Sequence, residues 1–279
     1  MKAAPKPRSI ILKLLSAAEQ GFAAAEIVRA CQLLGASANS ARVALARLCE
    51  TGMLECPERG HYQLGPAARR LAADVARWRS GEQRLRQWRG GWVLVHTGAL
   101  GRCDRAELRV RRRALKLLGL RELERGLQIR PDNLAGGVVA VRQRLYDLGL
   151  SADAAVFASD SLDPQRITAA MRLWDCAALS QHYHDQARSL NRWLRQAAAL
   201  DLDEAARQSW QLGDQAIRDL IYDPLLPAEW IDADLRARHT AAVIRFDQVG
   251  QRIWRTPVGD GNPLAEASGL AEITALAAA

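Results

Sequence analysis

Three stretches of helical periodicity followed by a hairpin pattern fall within residues 1–66, and no other feature of the chain constrains the fold as strongly. In the first, Ser9 to Glu19, Ile10, Ile11, Leu14, Leu15 and Ala18 recur at helical spacing, with Ser9 as the N-cap and Gly21 as the stop. Ala24 to Leu34 repeats the pattern with Ile27, Val28, Cys31 and Leu34, and ends at Gly35. Ser37 then caps a third helix to Thr51, which turns Ala41, Leu45 and Leu48 inward and closes at Gly52. Leu54 to Cys56 and His61 to Leu64 flank the turn-forming Pro57-Glu58-Arg59-Gly60, so two short strands are predicted. Three helices and a hairpin at this length make a winged helix-turn-helix.

The third helix carries the chemistry. With Ala41, Leu45 and Leu48 buried, the 3.6-residue period leaves Asn39, Ser40, Arg42, Val43, Ala46 and Arg47 outside, a face that is small, polar and cationic. A recognition helix needs short side chains to enter a major groove about 12 Å wide and a few that reach base edges, Arg to guanine and Asn to adenine. Arg42 and Asn39 are the candidates for base contacts, with Val43 beside them. Ser40, Arg47, and Arg59 with His61 on the wing suit phosphates. The same unit also serves elsewhere as a protein-interaction module, or as an ordinary surface of solvated charges.

Beyond it, Pro66 to Arg89 reads as a strongly basic linker helix. Trp92 to Thr97 is a buried strand, Arg105 to Leu118 an amphipathic helix with Arg111-Arg112-Arg113 outward, and Arg121 to Leu123 and Leu127 to Arg130 two short strands. Leu134 to Leu148 is a second helix and Ala154 to Ala158 a last strand, so the order is β-α-β-β-α-β, the ferredoxin-like arrangement. Such a sheet keeps a bare face or edge, and pairing two copies is the easiest way to cover it. From Pro164 the pattern is helical, over Pro164 to Ala178, Gln181 to Leu200 and Asp203 to Tyr222, broken at Asp223-Pro224 and Pro227. After Thr256 the periodicity is lost.

Charge divides unevenly along this plan. Residues 1–66 carry 8 basic and 5 acidic side chains, 67–150 carry 19 and 8, and 151–279 carry 12 and 18. A basic front and an acidic back suit a chain whose N-terminal part meets a polyanion. The 279 residues allow two or three domains, and no apolar run approaches the ~20 residues that span a bilayer, so a soluble, cytoplasmic protein is expected. Five widely spaced cysteines without a C-x-x-C pair fit neither a disulfide framework nor a zinc knuckle. His182 and His184 stand two residues apart and would point about 200° apart on a helix, a poor pair for one metal ion. No nucleophile elbow, phosphate-cradling glycine loop or H-E-x-x-H occurs, and Gly136-Gly137 reads as a close-packing point. Neither an enzyme nor a cofactor is expected.

Several segments in order resemble one family. Ser40 to Leu48 followed by Gly52-Met53-Leu54, the wing Arg59 to Leu64, Gly91-Trp92, Leu173-Trp174-Asp175 with Leu179 and Tyr183, and Asp223-Pro224-Leu225-Leu226-Pro227 are similar to the PaaX-type repressors of phenylacetate degradation, over residues 8–255. The chain departs from that pattern over Ala228 to His239. The resemblance implies a three-part protein with a DNA-binding winged helix, a ferredoxin-like dimerisation domain similar to the small nucleases of CRISPR adaptation and a helical C-terminal domain, which with the residue patterns above gives an α+β plan of an N-terminal winged helix-turn-helix (1–66), the basic linker helix (67–90), the central ferredoxin-like dimerisation domain (91–160), the C-terminal helical domain (161–256) and a poorly ordered tail (257–279). It further implies a homodimeric repressor on a palindromic double-stranded operator, released by an acyl- or aryl-CoA thioester such as phenylacetyl-CoA. Aromatics and arginines of the helical region, Trp174, Tyr183, Arg188 and Arg192, are the candidate ligand contacts. Strand 92–97 ends in His96-Thr97 without the carboxylate that nuclease relatives use to hold a metal. The alternatives are an interaction module without an operator and a metal-dependent nucleic-acid-processing enzyme.

Overall fold

A proline opens the first helix of the computed structural model, which describes residues 5–16, 21–69, 77–101 and 103–255. Helix α1 (Pro7–Ser16) begins at Pro7, whose missing N–H costs nothing at that position, so Ser9 lies inside the helix and is not its cap. The expected tail over 257–279 lies outside the described residues. Helices α2 (Ala24–Leu33) and α3 (Ala38–Glu50) follow as expected. They bury Ile10, Ile11, Leu15, Ile27, Cys31, Ala41 and Leu48 in one core.

A two-residue strand that periodicity did not reveal completes the small sheet. Strand β1 (Phe22–Ala23) pairs antiparallel with β3 (His61–Leu64), which also pairs with β2 (Leu54–Glu58), giving the order β1-β3-β2. Gly21, at φ +75°, makes the close approach possible, because a Cβ there would fall 2.4 Å from the Tyr62 carbonyl oxygen. Strand β2 runs past the expected Cys56 to Glu58, with a register shift between Glu55 and Glu58 where Pro57 has no N–H for the ladder.

The second sheet is built from β4 (Trp92–His96), β5 (Arg121–Glu124), β6 (Leu127–Pro131) and β7 (Ala155–Ser159), with helices α4 (Arg105–Leu117) and α5 (Gly137–Asp147) between them in sequence. All pairings are antiparallel and the order is β5-β6-β4-β7. Val93, Val95 and Val156 meet Ala114, Leu115, Val141 and Leu145 on the face that α4 and α5 cover. Trp92, Leu94 and Ile129 point to the opposite face.

That opposite face is not bare, and no second copy is needed to cover it. Trp174, Tyr183, Leu226 and Ile231 are buried against it, with Trp88 and Trp230 partly buried alongside. The Trp230 ring lies 5.0 Å from Trp88, 5.6 Å from Trp92 and 5.9 Å from Trp174. A strand apolar on both faces requires two covers, and the chain supplies the second from its own later segments.

The continuous basic helix expected over 67–90 is not what the described part shows. Residues 66–69 are helical, but two short 3₁₀ helices, Arg77–Ser80 and Glu82–Arg84, follow, and the chain then runs without helix to β4. Gly81 interrupts there, and the buried Trp78 together with a Leu85–Leu134 bridge ties the segment down. The predicted helix over 164–178 is likewise two, α6 (Pro164–Met171) and α7 (Cys176–Gln196), because the Asp175 carboxylate accepts from the Ala178 N–H at 2.9 Å and starts a new helix. Helices α8 (Leu202–Ile221) and α9 (Ala233–Arg255) complete the chain.

Two compact units result, in a mixed α+β fold. One takes the described residues to Arg77 with Ser189–Gln215 and the described residues from Ala242, and the other takes Trp78–Arg188 and Ala216–Ala241. Within the first, Trp210 and Trp254 pack on the core of α1 to α3, and Lys13 of α1 pairs with Asp214. Within the second, the Asp223 to Pro227 element is held by buried polar groups. Arg130 donates to the carbonyls of Leu118 and Pro131 and to Asn133 Oδ1, Asn133 Nδ2 donates to the Leu225 carbonyl at 2.8 Å, and Leu225 sits at φ +49°. Among the described residues no helix is long and apolar enough to cross a membrane.

Candidate nucleic-acid interface

Local chemistry sets the start of α3. Ser37 has extended backbone angles, its Oγ accepts from the Ser40 N–H at 3.1 Å, and the Ser40 hydroxyl donates back to the Ser37 carbonyl at 2.8 Å. This cap fixes the rotational phase of every later residue of the helix. Ala41, Leu45 and Leu48 therefore point into the core, at 0%, 3% and 2% exposure. Asn39, Arg42, Val43, Ala46 and Arg47 form the opposite, exposed face, where Val43 keeps 42% of its surface.

The exposed face has the expected members, with one exception in role. Asn39, Arg42 and Arg47 make no side-chain hydrogen bond or ion pair with any described residue, so their donors are unspent. Ser40 is only half-exposed and its hydroxyl is committed to the cap. Its contribution is to start the helix, which removes it from the set free to meet phosphate. On the hairpin, Arg59 is exposed at the turn with Glu58 beside it, whereas His61 is half-buried. The Nε2 of His61 lies close to Gly21, where an added Cβ would come within 3.1 Å. His61 thus belongs to the packing of β1 on β3, and Arg59 is the cation the hairpin turn presents.

The Glu55 carboxylate, which would otherwise set a negative charge on the hairpin, accepts from Gln63 Nε2 at 2.6 Å and from Arg69 at 2.8 Å. Sequence periodicity did not identify Arg69 in this part.

Of the four residues expected to line a ligand site, Trp174, Tyr183 and Arg188 fall in the second unit and Arg192 in the first, and the three do not share one surface. Trp174 and Tyr183 are 6% and 1% exposed and form the cover of the large sheet, while Arg188 and Arg192 are exposed. Tyr183 and Arg188 are five positions apart on α7, about 140° round the helix, so one side chain points inward and the other outward. A cleft of about 450 Å³ does open elsewhere in the second unit, lined by Arg86, Gln87, Arg89, Gly91, Asp132 and Asp160. Helical spacing does not point to it, because its residues come from loops distant in sequence.

No family model matches the chain, and no curated protein matches it. Among solved structures, the chain is similar to the uncharacterized protein Rv0674 from Mycobacterium tuberculosis, with a TM-score of 0.54 and 24% identity over 88% of this chain and 99% of that one. The two share a fold.

Proposed function

We propose that this chain is a DNA-binding transcriptional regulator, a homodimeric repressor that reads a palindromic operator through α3. The observation that carries the reading is the exposed face of α3, where short side chains surround Asn39, Arg42 and Arg47, all without partners among the described residues. Such a face can enter a major groove and leave its donors free for base edges and phosphates. On this reading residues 1–66 are a winged helix-turn-helix, with Arg59 on the wing adding a phosphate contact, and residues 91–160 are a ferredoxin-like domain. The order of segments resembling the PaaX-type repressors supports the same conclusion, and the effector it implies is an acyl- or aryl-CoA thioester. The buried Trp174 and Tyr183 are not part of that effector's site as the described residues stand.

The test is selection of sheared genomic DNA by the purified protein at several salt concentrations, with and without phenylacetyl-CoA. A regulator enriches one or a few fragments above a salt-sensitive background, and the thioester releases them. Enrichment that ignores the thioester keeps the regulator and removes the effector. No enrichment at any salt concentration rejects the operator and leaves a protein-interaction module.

A further inference from the structure

Helix α4 is the most strongly charged surface element in the second unit. Arg105, Arg109, Arg112 and Lys116 follow the spacing i, i+4, i+7, i+11, so they form one stripe along the helix, and Arg113 stands beside it. All five side chains are exposed. At 1.5 Å per residue the stripe is about 16 Å long.

The expected outward run Arg111-Arg112-Arg113 is split by the structure. Arg111 is 7% exposed and turns inward, donating to the Gly101 carbonyl at 3.0 Å and to Glu107 Oε1 at 2.7 Å. That ion pair engages the one carboxylate within α4 and leaves the stripe without a counter-charge from its own helix. Arg105, Arg109, Arg112 and Arg113 make no ion pair or side-chain hydrogen bond with any described residue, and Lys116 lies 4.8 Å over the Tyr222 ring. Ordinary surfaces intersperse both signs, and like charges four residues apart weaken a helix. A stripe of this kind has a physical rationale if a polyanion meets it.

We propose that the outer face of α4 is a second contact surface for duplex DNA, one that grips phosphates without reading sequence. The inference rests on the reading of the chain as DNA-binding but uses different residues. The charge balance fits it, since residues 67–150 carry 19 basic and 8 acidic side chains against 8 and 5 over 1–66. Duplex DNA carries one negative charge per about 1.7 Å of axis, so a stripe of this length can engage several phosphates. A membrane surface is the poorer match. Helices that lie in a bilayer interface insert a broad apolar face, whereas the apolar side of α4, with Ala114 and Leu115, is buried in the core.

The experiment measures binding of the full-length protein to a duplex of arbitrary sequence between 50 and 200 mM salt, together with its selection of sheared genomic fragments, for wild type, Arg105→Gln/Arg109→Gln/Arg112→Gln, and Arg42→Ala. The triple variant, whose altered side chains are exposed, should keep its melting temperature. Its slope of log affinity against log salt should be shallower by about 2.7, three contacts at about 0.9 each. A slope within about 0.5 of wild type overturns the proposal, as does a wild type that binds no duplex. If the triple variant flattens the slope while Arg42→Ala changes neither affinity nor fragment preference, α4 stands and the α3 reading fails. The converse pattern retains α3 alone. Loss of binding to vesicles of anionic phospholipid by the triple variant, with its duplex slope unchanged, assigns the stripe to membranes and also overturns the proposal.

Discussion

The Tyr183 hydroxyl donates to Asp223 Oδ2 at 2.7 Å, and both side chains are buried in the second unit. The other carboxylate oxygen accepts from the Leu225 N–H at 2.7 Å, so Asp223 organises the turn that places Leu225 at positive φ. Burial pushes the Asp223 carboxyl above the usual carboxylate range even though both hydrogen bonds act to lower it. Tyr183→Phe removes one of these donors and leaves a buried acceptor without it, at an expected cost of about 1–3 kcal/mol. Urea unfolding of the variant checks the value, and an unchanged midpoint would remove Tyr183 from the account of the turn.

Two glycines with similar backbone angles should respond differently to the same substitution. Gly119 has φ +69° and a Cβ there would stand 2.7 Å from Pro224 Cα and 2.8 Å from its carbonyl oxygen, whereas Gly52 at φ +65° has nothing within 4 Å. Gly52→Ala should cost only the left-handed strain, about 1–2 kcal/mol. Gly119→Ala should cost more, because backbone has to move as well. Equal losses in thermal melts would show that the approach of Pro224 is soft.

Arg42 and Leu45 stand three positions apart on α3, the first exposed and the second buried, so their truncations separate recognition from folding. Arg42→Ala should leave the melting temperature unchanged and cost about 1–3 kcal/mol in discrimination between operator and arbitrary duplex. Leu45→Ala, in a core where Leu45 is 3% exposed, should lose about 2–5 kcal/mol of stability. An Arg42→Ala protein that selects the same fragments as wild type would remove Arg42 from base reading.

His239 makes the second unit sensitive to acid. Its ring is fully buried, bonded through Nε2 to Gln186 Oε1 and stacked 5.3 Å from Tyr183, and burial, aided by the neighbouring His182 and opposed by Asp219, holds its pKa down at about 4. The unfolded chain takes up that proton near 6.5. Between these values the unfolded state binds more protons, so stability is complete above pH 6.5 and is lost progressively as pH falls toward 4. Unfolding midpoints at pH 7, 5.5 and 4.5 should decline less steeply for His239→Asn than for wild type. Parallel declines would assign the acid sensitivity to other groups.

Sequence by itself determined the elements whose causes are local. The Ser37 cap, the Ala41-Leu45-Leu48 spacing and the closing glycines specify α3 and, through its period, the exposed positions of Asn39, Arg42, Val43 and Arg47. Short apolar runs, glycine boundaries and helical periodicity similarly marked strands β4 to β7 and the helices between them. Tertiary structure alone decided where partners are distant in the chain. It added β1 because Tyr62 approaches Gly21, turned Arg111 inward toward Gly101, and drew His61 into sheet packing. It also placed Trp174 and Tyr183 in a core, where the sequence pattern had suggested a ligand site. An aromatic at helical spacing carries the same local signal whether it lines a pocket or seals a sheet, and the difference lies in which apolar surface, here Trp92 and Leu94 of β4, needs to be removed from water.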